Sequence, residues 1–170
     1  MLVNRNTDSA AGDPSAARGA AGTVRVMLAD DHAPIRRTLR RRLEGEADIE
    51  VIGEAGDITS ADESARDRQP QVMVIDLGML GESSLTAIRQ LRKQVPATEI
   101  VVLTMQDNPL LARKALDADA AGFVRKDLAD ADLPDAVRCA ARGVRYLSPQ
   151  VATQLIAFDD RTQLIAFDDR

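Results

Sequence analysis

Residues 72–76 read V-M-V-I-D, a run of apolar side chains that ends in a carboxylate. A short apolar run of this kind is typical of a strand that is buried on both faces, as in a parallel sheet covered by helices. Segments with helical periodicity lie before and after it, so the sequence predicts strands and helices that alternate around a parallel sheet. Further runs fit the same pattern, and they are Val24–Ala29, Ile49–Gly53, Ile100–Thr104 and Gly122–Arg125.

Proline and capping residues mark the ends of the helices predicted between these strands. Proline suits the first turn of a helix, where its missing N–H has no intrahelical partner, and Asp or Asn favours the position just before the helix. The predicted helices are about 33–46, 60–67 and 84–94, one that starts at Pro109 after a cap at Asp107 or Asn108, and one from Asp132 to Gly143.

Polar side chains stand where the predicted strands end. Asp30 and Asp31 follow the first strand, Asp76 ends the third, Thr104 ends the fourth and Lys126 follows the fifth. Because the carboxyl ends of parallel strands meet at one edge of a sheet, three carboxylates, a hydroxyl and an ammonium group are expected together. This set of groups suits a divalent metal and a phosphoryl group.

The composition fits one domain that follows a segment rich in Ala, Gly, Ser and Asp. A chain of 170 residues, 45% of them apolar, is long enough to bury a proper core. The net charge of −5 argues against direct DNA binding, and no run is long enough to span a membrane, so we expect a cytoplasmic protein. We expect a flexible extension over 1–23, a domain over 24–147 and a linker or tail over 148–170.

Several motifs occur in a fixed order along the chain. They are V-R-V-M-L-A-D-D-H at 24–32, V-M-V-I-D-L-G-M at 72–79, V-V-L-T-M at 101–105, A-G-F-V-R-K-D at 121–127 and R-G-V-R-Y-L-S-P-Q-V-A at 142–152. Through them the chain resembles, from Val24 to about Leu155, a response-regulator receiver domain of the subgroup that precedes a LuxR/NarL-type DNA-binding domain. The resemblance implies a doubly wound α/β fold, in which a five-stranded parallel sheet of order 2-1-3-4-5 carries helices on both faces.

The resemblance also implies roles for the strand-end residues. Asp76 is the expected phosphoacceptor, a carboxylate nucleophile that forms an acyl phosphate. Mg²⁺ is the expected cofactor, because it prefers oxygen ligands and offsets the repulsion between crowded carboxylates. Its expected ligands are Asp30, Asp31, Asp76 and the backbone carbonyl of Gly78.

Lys126 and Thr104 are expected to contact the phosphoryl oxygens, one with a fixed positive charge and the other with a hydroxyl. By the same resemblance, Thr104 and Phe123 form a switch that alters the surface made by helix 4, strand 5 and helix 5. Such a protein is a signalling switch that accepts one phosphoryl group, and it is not a turnover enzyme.

The resemblance implies partners as well. A sensor histidine kinase would donate the phosphoryl group, and a homodimer would use either the helix 4–strand 5–helix 5 surface or the helix 1/helix 5 surface. His32 is interpreted as a loop residue and not as a phosphotransfer group. Helix 1 carries a basic flank, which is either a solvated face or a docking site for an acidic partner: Arg36, Arg37, Arg40, Arg41 and Arg42.

Two other functions use similar residues. A NarL-type transcriptional regulator would continue into a DNA-binding helix-turn-helix, and the sequence after residue 155 does not resemble one. A phosphatase of the haloacid dehalogenase type also uses Asp, Thr, Lys and Mg²⁺, but its nucleophile lies in a D-x-D motif on the first strand. Here D-x-D occurs at Asp117/Asp119 and Asp130/Asp132, outside the predicted strands. The receiver interpretation is therefore favoured.

The end of the chain is a repeat, because Thr153–Arg161 reads TQLIAFDDR and Thr162–Arg170 has the same sequence. In one helix a nine-residue step turns about 900°, a net half turn, so the second apolar set would face away from the first. The repeat is interpreted as a recent duplication or an artefact, with a helical tail for self-association as the alternative.

Upstream, Asp119 takes a place where the family commonly has Gly, so we expect it to adopt a left-handed backbone conformation or to shift the helix end.

Overall fold

The protein is seen here as a computed structural model that describes residues 22–81 and 84–167, with side chains described as far as Asp159 in the last helix. The predicted flexible extension lies almost entirely outside the described residues. Strands and helices alternate along the chain, and two 3₁₀ turns occupy Leu77–Leu80 and Lys126–Leu128. The strands are β1 (Val24–Ala29), β2 (Ile49–Ala55), β3 (Val72–Asp76), β4 (Glu99–Thr104), β5 (Gly122–Arg125) and β6 (Tyr146–Leu147); the helices are α1 (Ala33–Glu44), α2 (Ile58–Arg68), α3 (Ser84–Gln94), α4 (Pro109–Asp117), α5 (Ala129–Ala141) and α6 (Pro149–Phe167).

The sheet is parallel throughout and has the order β2-β1-β3-β4-β5-β6. The predicted order 2-1-3-4-5 is confirmed, but the prediction of five strands missed β6. Tyr146 pairs with Gly122 and Leu147 with Phe123. A two-residue strand has no periodicity to detect, and it forms here because the Tyr146 N–H reaches the Ala121 carbonyl at 2.9 Å.

Two apolar layers cover the faces of the sheet, because alternate residues of a strand point to opposite sides. Met27, Ile75 and Phe123 belong to the layer beneath α2, α3 and α4, while Leu28 and Val124 belong to the layer beneath α1 and α5. The side chains in both layers are almost all aliphatic. This arrangement leaves the carboxyl ends of β1, β3, β4 and β5 side by side at one edge.

The predicted start of the last receiver helix at Asp132 is wrong, since α5 begins at Ala129. Pro134 therefore lies inside the helix, where its missing N–H leaves the Asp130 carbonyl without its intrahelical donor. Arg42 of α1 supplies a donor instead, with its Nε 2.5 Å from that carbonyl. The helix survives an internal proline because a neighbouring helix satisfies the freed acceptor.

The other helix ends differ by a few residues from the prediction. α1 ends at Glu44 and not at Glu46, and β2 continues two residues further, to Ala55. α2 begins at Ile58, because the Asp57 carboxylate accepts a hydrogen bond from Ser60 N at 2.9 Å and caps the helix. Of the two predicted caps, Asn108 is the one that caps α4, and it accepts from Leu110 N at 3.0 Å.

α6 is a single helix that runs through the first copy of the repeat and into the second. Val151, near its start, is 2% exposed and belongs to the apolar layer beneath α4. Arg113 of α4 and Asp159 of α6 form an ion pair. The expected orientation of the second apolar set falls outside the described side chains. Across the residues that the structure describes, every helix is too short or too polar to cross a membrane.

Candidate metal and phosphoryl site

The sheet order brings the strand-end residues together as predicted. Asp30 follows β1, Asp76 ends β3, Thr104 ends β4 and Lys126 follows β5, and these four strands are neighbours in that order. Asp76 and Thr104 end adjacent strands, and Lys126 reaches across to the carboxylates from β5. The site is therefore a product of strand order, with Asp76 flanked on both sides.

Three carboxylates form the acidic part of the site. Oxygens of Asp30, Asp31 and Asp76 all lie within 4.8 Å of one another. Asp30 is 1% exposed and Asp76 is 7% exposed, whereas Asp31 is open to solvent. Like charges this close destabilise one another unless a cation is present. Carboxylate oxygens in this number and spacing fit a hard divalent cation, so the residues present suit Mg²⁺.

Backbone amides fix the two buried carboxylates in place. Asp30 Oδ1 accepts from His32 N at 2.8 Å, and Asp76 Oδ1 accepts from Gly78 N at 3.1 Å. Gly78 also leaves room for Asp76, since a Cβ at position 78 would lie 3.3 Å from Asp76 Oδ2. His32 itself is exposed in the loop before α1, as expected. The role of the Gly78 carbonyl as a metal ligand stays a prediction.

Lys126 bridges the two buried carboxylates. Its Nζ lies 2.7 Å from Asp30 Oδ2 and 3.1 Å from Asp76 Oδ2. The contact with Asp30 Oδ2 is a buried ion pair, and a carboxylate oxygen in such a pair still has a second lone pair available for a cation. Burial alone lowers the pKa of Lys126, but the contacts with Asp30 and Asp76 outweigh it and leave the pKa above its ordinary value.

Thr104 completes the site on the side of β4. Its side chain is 3% exposed, and its Oγ1 accepts a hydrogen bond from Gln106 N at 3.0 Å. A hydroxyl that accepts in this way still has its own proton to donate. A cavity of about 520 Å³ opens here, and the residues lining it include Asp76, Gly78, Thr104, Gln106 and Lys126. A phosphoryl group on Asp76 would meet a hydroxyl and an ammonium in the same cavity.

Phe123 lies behind the site in the core. It is 1% exposed, and Ala112 and Ala115 of α4 belong to the same apolar layer. Phe123 pairs with Val102 on β4, two residues before Thr104. This position connects the strand-end hydroxyl with α4, and the switch role of Phe123 stays a prediction.

The structure adds arginines whose contacts the sequence did not reveal. Arg36 donates from Nη1 to the Asp30 carbonyl at 2.6 Å, so part of the basic flank on α1 supports the site. Arg125 contacts Asp107 at 3.0 Å and Asp127 at 2.6 Å. A sequence offers no signal for such contacts, apart from the proximity of Asp127, because the partners belong to different structural elements.

The sequence also matches known proteins over most of its length. Residues 26–138 match the family model described as response regulator receiver domain. The chain is 34% identical over 134 residues to the oxygen regulatory protein NreC of Staphylococcus carnosus (strain TM300). It is 33% identical over 132 residues to the response regulator GacA of Pseudomonas viridiflava. Each match covers 78% of this chain and 62% of the relative, so the chain spans less than two thirds of those proteins.

The fold is also similar to that of solved structures. The isolated receiver domain of RcsB from Salmonella enterica serovar Typhimurium, in the presence of phosphomimetic BeF₃⁻, is 31% identical with a TM-score of 0.71. That match covers 78% of this chain and 99% of the RcsB chain. A LuxR-family two-component response regulator from Aurantimonas sp. SI85-9A1 is 33% identical with a TM-score of 0.75, over 82% of this chain and 99% of the other.

Proposed function

The chain belongs to the family of response regulator receiver domains, and we propose on that premise that Asp76 is its phosphoacceptor. Receiver domains of two-component response regulators are signalling switches and not turnover enzymes. The observation that carries the proposal is the shared cavity, in which Asp76 faces the hydroxyl of Thr104 and the ammonium of Lys126. Of the three carboxylates, Asp76 lines this cavity, whereas Asp30 and Asp31 do not.

The reaction is a phosphoryl transfer onto a carboxylate. A carboxylate oxygen of Asp76 forms a bond to phosphorus while the P–N bond of a phosphohistidine breaks, and the imidazole nitrogen keeps the electron pair and takes up a proton. The product is an acyl phosphate. Lys126, which contacts Asp76 at 3.1 Å beforehand, stabilises the negative charge on the phosphoryl oxygens. Thr104 donates its hydroxyl proton to one of these oxygens.

We propose Mg²⁺ as the cofactor, held by Asp30, Asp31, Asp76 and the carbonyl of Gly78. When bound, the ion neutralises charge on the carboxylates and on the transferring group. The close approach of three carboxylate oxygens and the second lone pair of Asp30 Oδ2 support this assignment.

A histidine kinase is the proposed donor. A groove of about 370 Å³ between α1 and the start of α5 reaches Lys126, and its walls include Ile35, Leu39, Met105 and Ala129. Arg37 and Arg41 lie exposed on the same helix. An apolar groove beside a basic strip suits a helical partner that carries acidic side chains along an apolar ridge.

We propose a homodimer through the helix 1/helix 5 surface. β6 covers the outer edge of β5, and α6 packs on α4. The helix 4–strand 5–helix 5 surface is therefore partly covered by the chain itself.

The proposed output is transcriptional, because the related LiaR of Bacillus subtilis (strain 168) is named a transcriptional regulatory protein. The cytoplasm, where response regulators typically act, is the proposed location.

Labelling with acetyl phosphate tests the phosphoacceptor. With Mg²⁺ present, intact-mass measurement is expected to show the addition of one phosphoryl group, and Asp76→Asn is expected to abolish it, because an amide is not a nucleophile here. Asp67→Asn is the matched control, since Asp67 is an exposed carboxylate on α2, away from the sheet edge. Undiminished labelling of Asp76→Asn would refute the assignment.

A further inference from the structure

The four residues between β4 and α4 form an exposed linker directly after Thr104. Met105, Gln106, Asp107 and Asn108 are all exposed, and Met105 is 65% exposed. Two of them are held by local contacts, since Gln106 N donates to Thr104 Oγ1 at 3.0 Å and Asn108 caps α4. Exposed segments with few buried contacts open easily, so the position of Gln106 depends on what else restrains the linker.

Arg125 supplies that restraint from the neighbouring strand. Its Nη1 lies 3.0 Å from Asp107 Oδ2. Among the residues that the structure describes, this ion pair is the one polar contact that joins a linker side chain to another strand. Arg125 is also the register partner of Thr104 on β5. The Arg125 side chain therefore begins beside Thr104, and its guanidinium contacts Asp107, the residue after Gln106.

The same guanidinium binds the segment that follows Lys126. Arg125 Nε donates to Asp127 Oδ1 at 3.0 Å, and Nη2 donates to Asp127 Oδ2 at 2.6 Å. These hydrogen bonds with Arg125 lower the pKa of Asp127. A planar guanidinium can hold two carboxylates in fixed directions, which an ammonium cannot do. One side chain therefore ties the linker after Thr104 to the turn after Lys126.

We infer that Arg125 is a positioning residue for phosphoryl acceptance, acting through Asp107 and Gln106 on the hydroxyl of Thr104. Asp107 is held by Arg125, so the adjacent Gln106 N–H stays against Thr104 Oγ1. That hydrogen bond occupies a lone pair of the hydroxyl and leaves its proton to donate to a phosphoryl oxygen on Asp76. The inference rests on the proposed function, because it concerns the same acceptor.

A double-mutant cycle tests this inference. Labelling by acetyl phosphate with Mg²⁺ would be followed in the full chain for Arg125→Leu and Asp107→Asn, each alone and combined with Thr104→Val. Because the ion pair is partly exposed, each single change is expected to slow labelling about two- to fivefold. In the Thr104→Val background, where no hydroxyl remains to be positioned, the same changes are expected to have no further effect.

Charge is the main competing explanation, and two comparisons separate it. Arg125→Leu makes the site more negative and so repels acetyl phosphate, but that effect would persist in the Thr104→Val background. Arg89→Leu removes the same charge from an exposed position on α3 and is expected to leave labelling unchanged. Thermal unfolding of each variant identifies any loss of fold.

Slowing of equal size in both backgrounds would overturn the inference, and so would normal labelling of Arg125→Leu. Failure of the proposed function looks different: the unchanged protein would not be labelled at all, or Asp76→Asn would be labelled as well. Labelling at Asp76 that is insensitive to Arg125 leaves the phosphoacceptor in place and removes only the positioning role.

Discussion

Lys126 holds together two buried carboxylates that would otherwise repel each other. Its Nζ contacts both Asp30 and Asp76 before any phosphoryl group is present. If Asp76 is the phosphoacceptor, as proposed, the charge that Lys126 faces would pass from the carboxylate to the phosphoryl oxygens. The same ammonium group would then contact those oxygens.

Asp119 shows how a single backbone angle confirms a sequence-based expectation. It adopts φ +70°, the left-handed region that favours glycine, two residues after the last residue of α4. Its carboxylate contacts Arg92 Nε at 3.2 Å and Arg145 at 3.8 Å. Asp is among the residues that tolerate this conformation best. The helix α4 itself ends at Asp117.

Tyr146 gives a prediction at the residue scale that optical titration can check. Burial, with the charge of Asp132 as the next cause, raises the pKa of the phenol to about 12. Tyr146 is the only tyrosine and the chain has no tryptophan, so ultraviolet absorbance of tyrosinate reports this group alone. We expect it to ionise near 12 while the protein stays folded.

The sign of the linked stability change follows from that pKa. The unfolded phenol ionises at its ordinary pKa of about 10, before the folded one does, so the unfolded state binds fewer protons between these values. The contribution of Tyr146 to stability is therefore complete below about pH 10 and is lost as the pH rises to about 12. Ionisation at the ordinary pKa, with the circular dichroism of the folded protein retained, would contradict the burial of Tyr146.

The helix α6 is attached to the domain by contacts in its first half. Val151 enters the apolar layer beneath α4, and the ion pair between Arg113 and Asp159 lies two turns further along. Ser148, just before the helix, is fully buried, and its carbonyl accepts from Ala152 N at 2.9 Å. The first half of α6 is thus part of the folded domain and not a separate tail.

Docking of α6 predicts a clear difference between two substitutions on the same helix. Val151→Ala removes two buried methyl groups and is expected to lower the free energy of unfolding by about 1–3 kcal/mol. Ile156→Ala is the control, because Ile156 is 65% exposed, and a change within about 0.5 kcal/mol is expected. Urea unfolding measures both. Equal effects of the two variants would mean that α6 is not docked.

The site belongs to the whole molecule, because the carboxylates that would hold Mg²⁺ come together only when β1 and β3 are neighbours. An ion that binds the folded state alone stabilises it by about 2.7 kcal/mol at a concentration one hundred times its dissociation constant. Mg²⁺ is therefore expected to raise the midpoint of thermal unfolding, measured against NaCl of equal ionic strength.

Asp30→Asn is the matching variant. It loses the ion pair with Lys126, but Lys126 keeps Asp76 as a partner, and the repulsion with Asp31 and Asp76 is relieved. Without Mg²⁺ the variant is therefore expected to be more stable than the unchanged protein, and it is expected to lose the response to the ion. A thermal shift of the same size in Asp30→Asn would show that Mg²⁺ acts elsewhere on the protein.

Much of the fold could be predicted because strand and helix patterns are local. The bounds of β1, β3, β5 and α3 agree with the prediction to the residue, since each apolar run or helical face lies in consecutive sequence. The start of α5 could not be predicted, because Pro134 lies inside the helix and the Asp130 carbonyl accepts from Arg42, which is distant in the chain. The strand-end residues of the site were found because parallel strands place their carboxyl ends at one edge.

The sequence by itself determined the alternation of strands and helices and the identity of the groups at the strand ends, since both depend on residue type and short-range periodicity. Only the tertiary structure decided that Lys126 bridges Asp30 and Asp76 and that Arg125 binds Asp107. It also decided that β6 joins the sheet and that α6 packs against α4 through the buried Val151. The physical reason is that each of these contacts joins segments far apart in the chain, so its existence depends on strand order and packing.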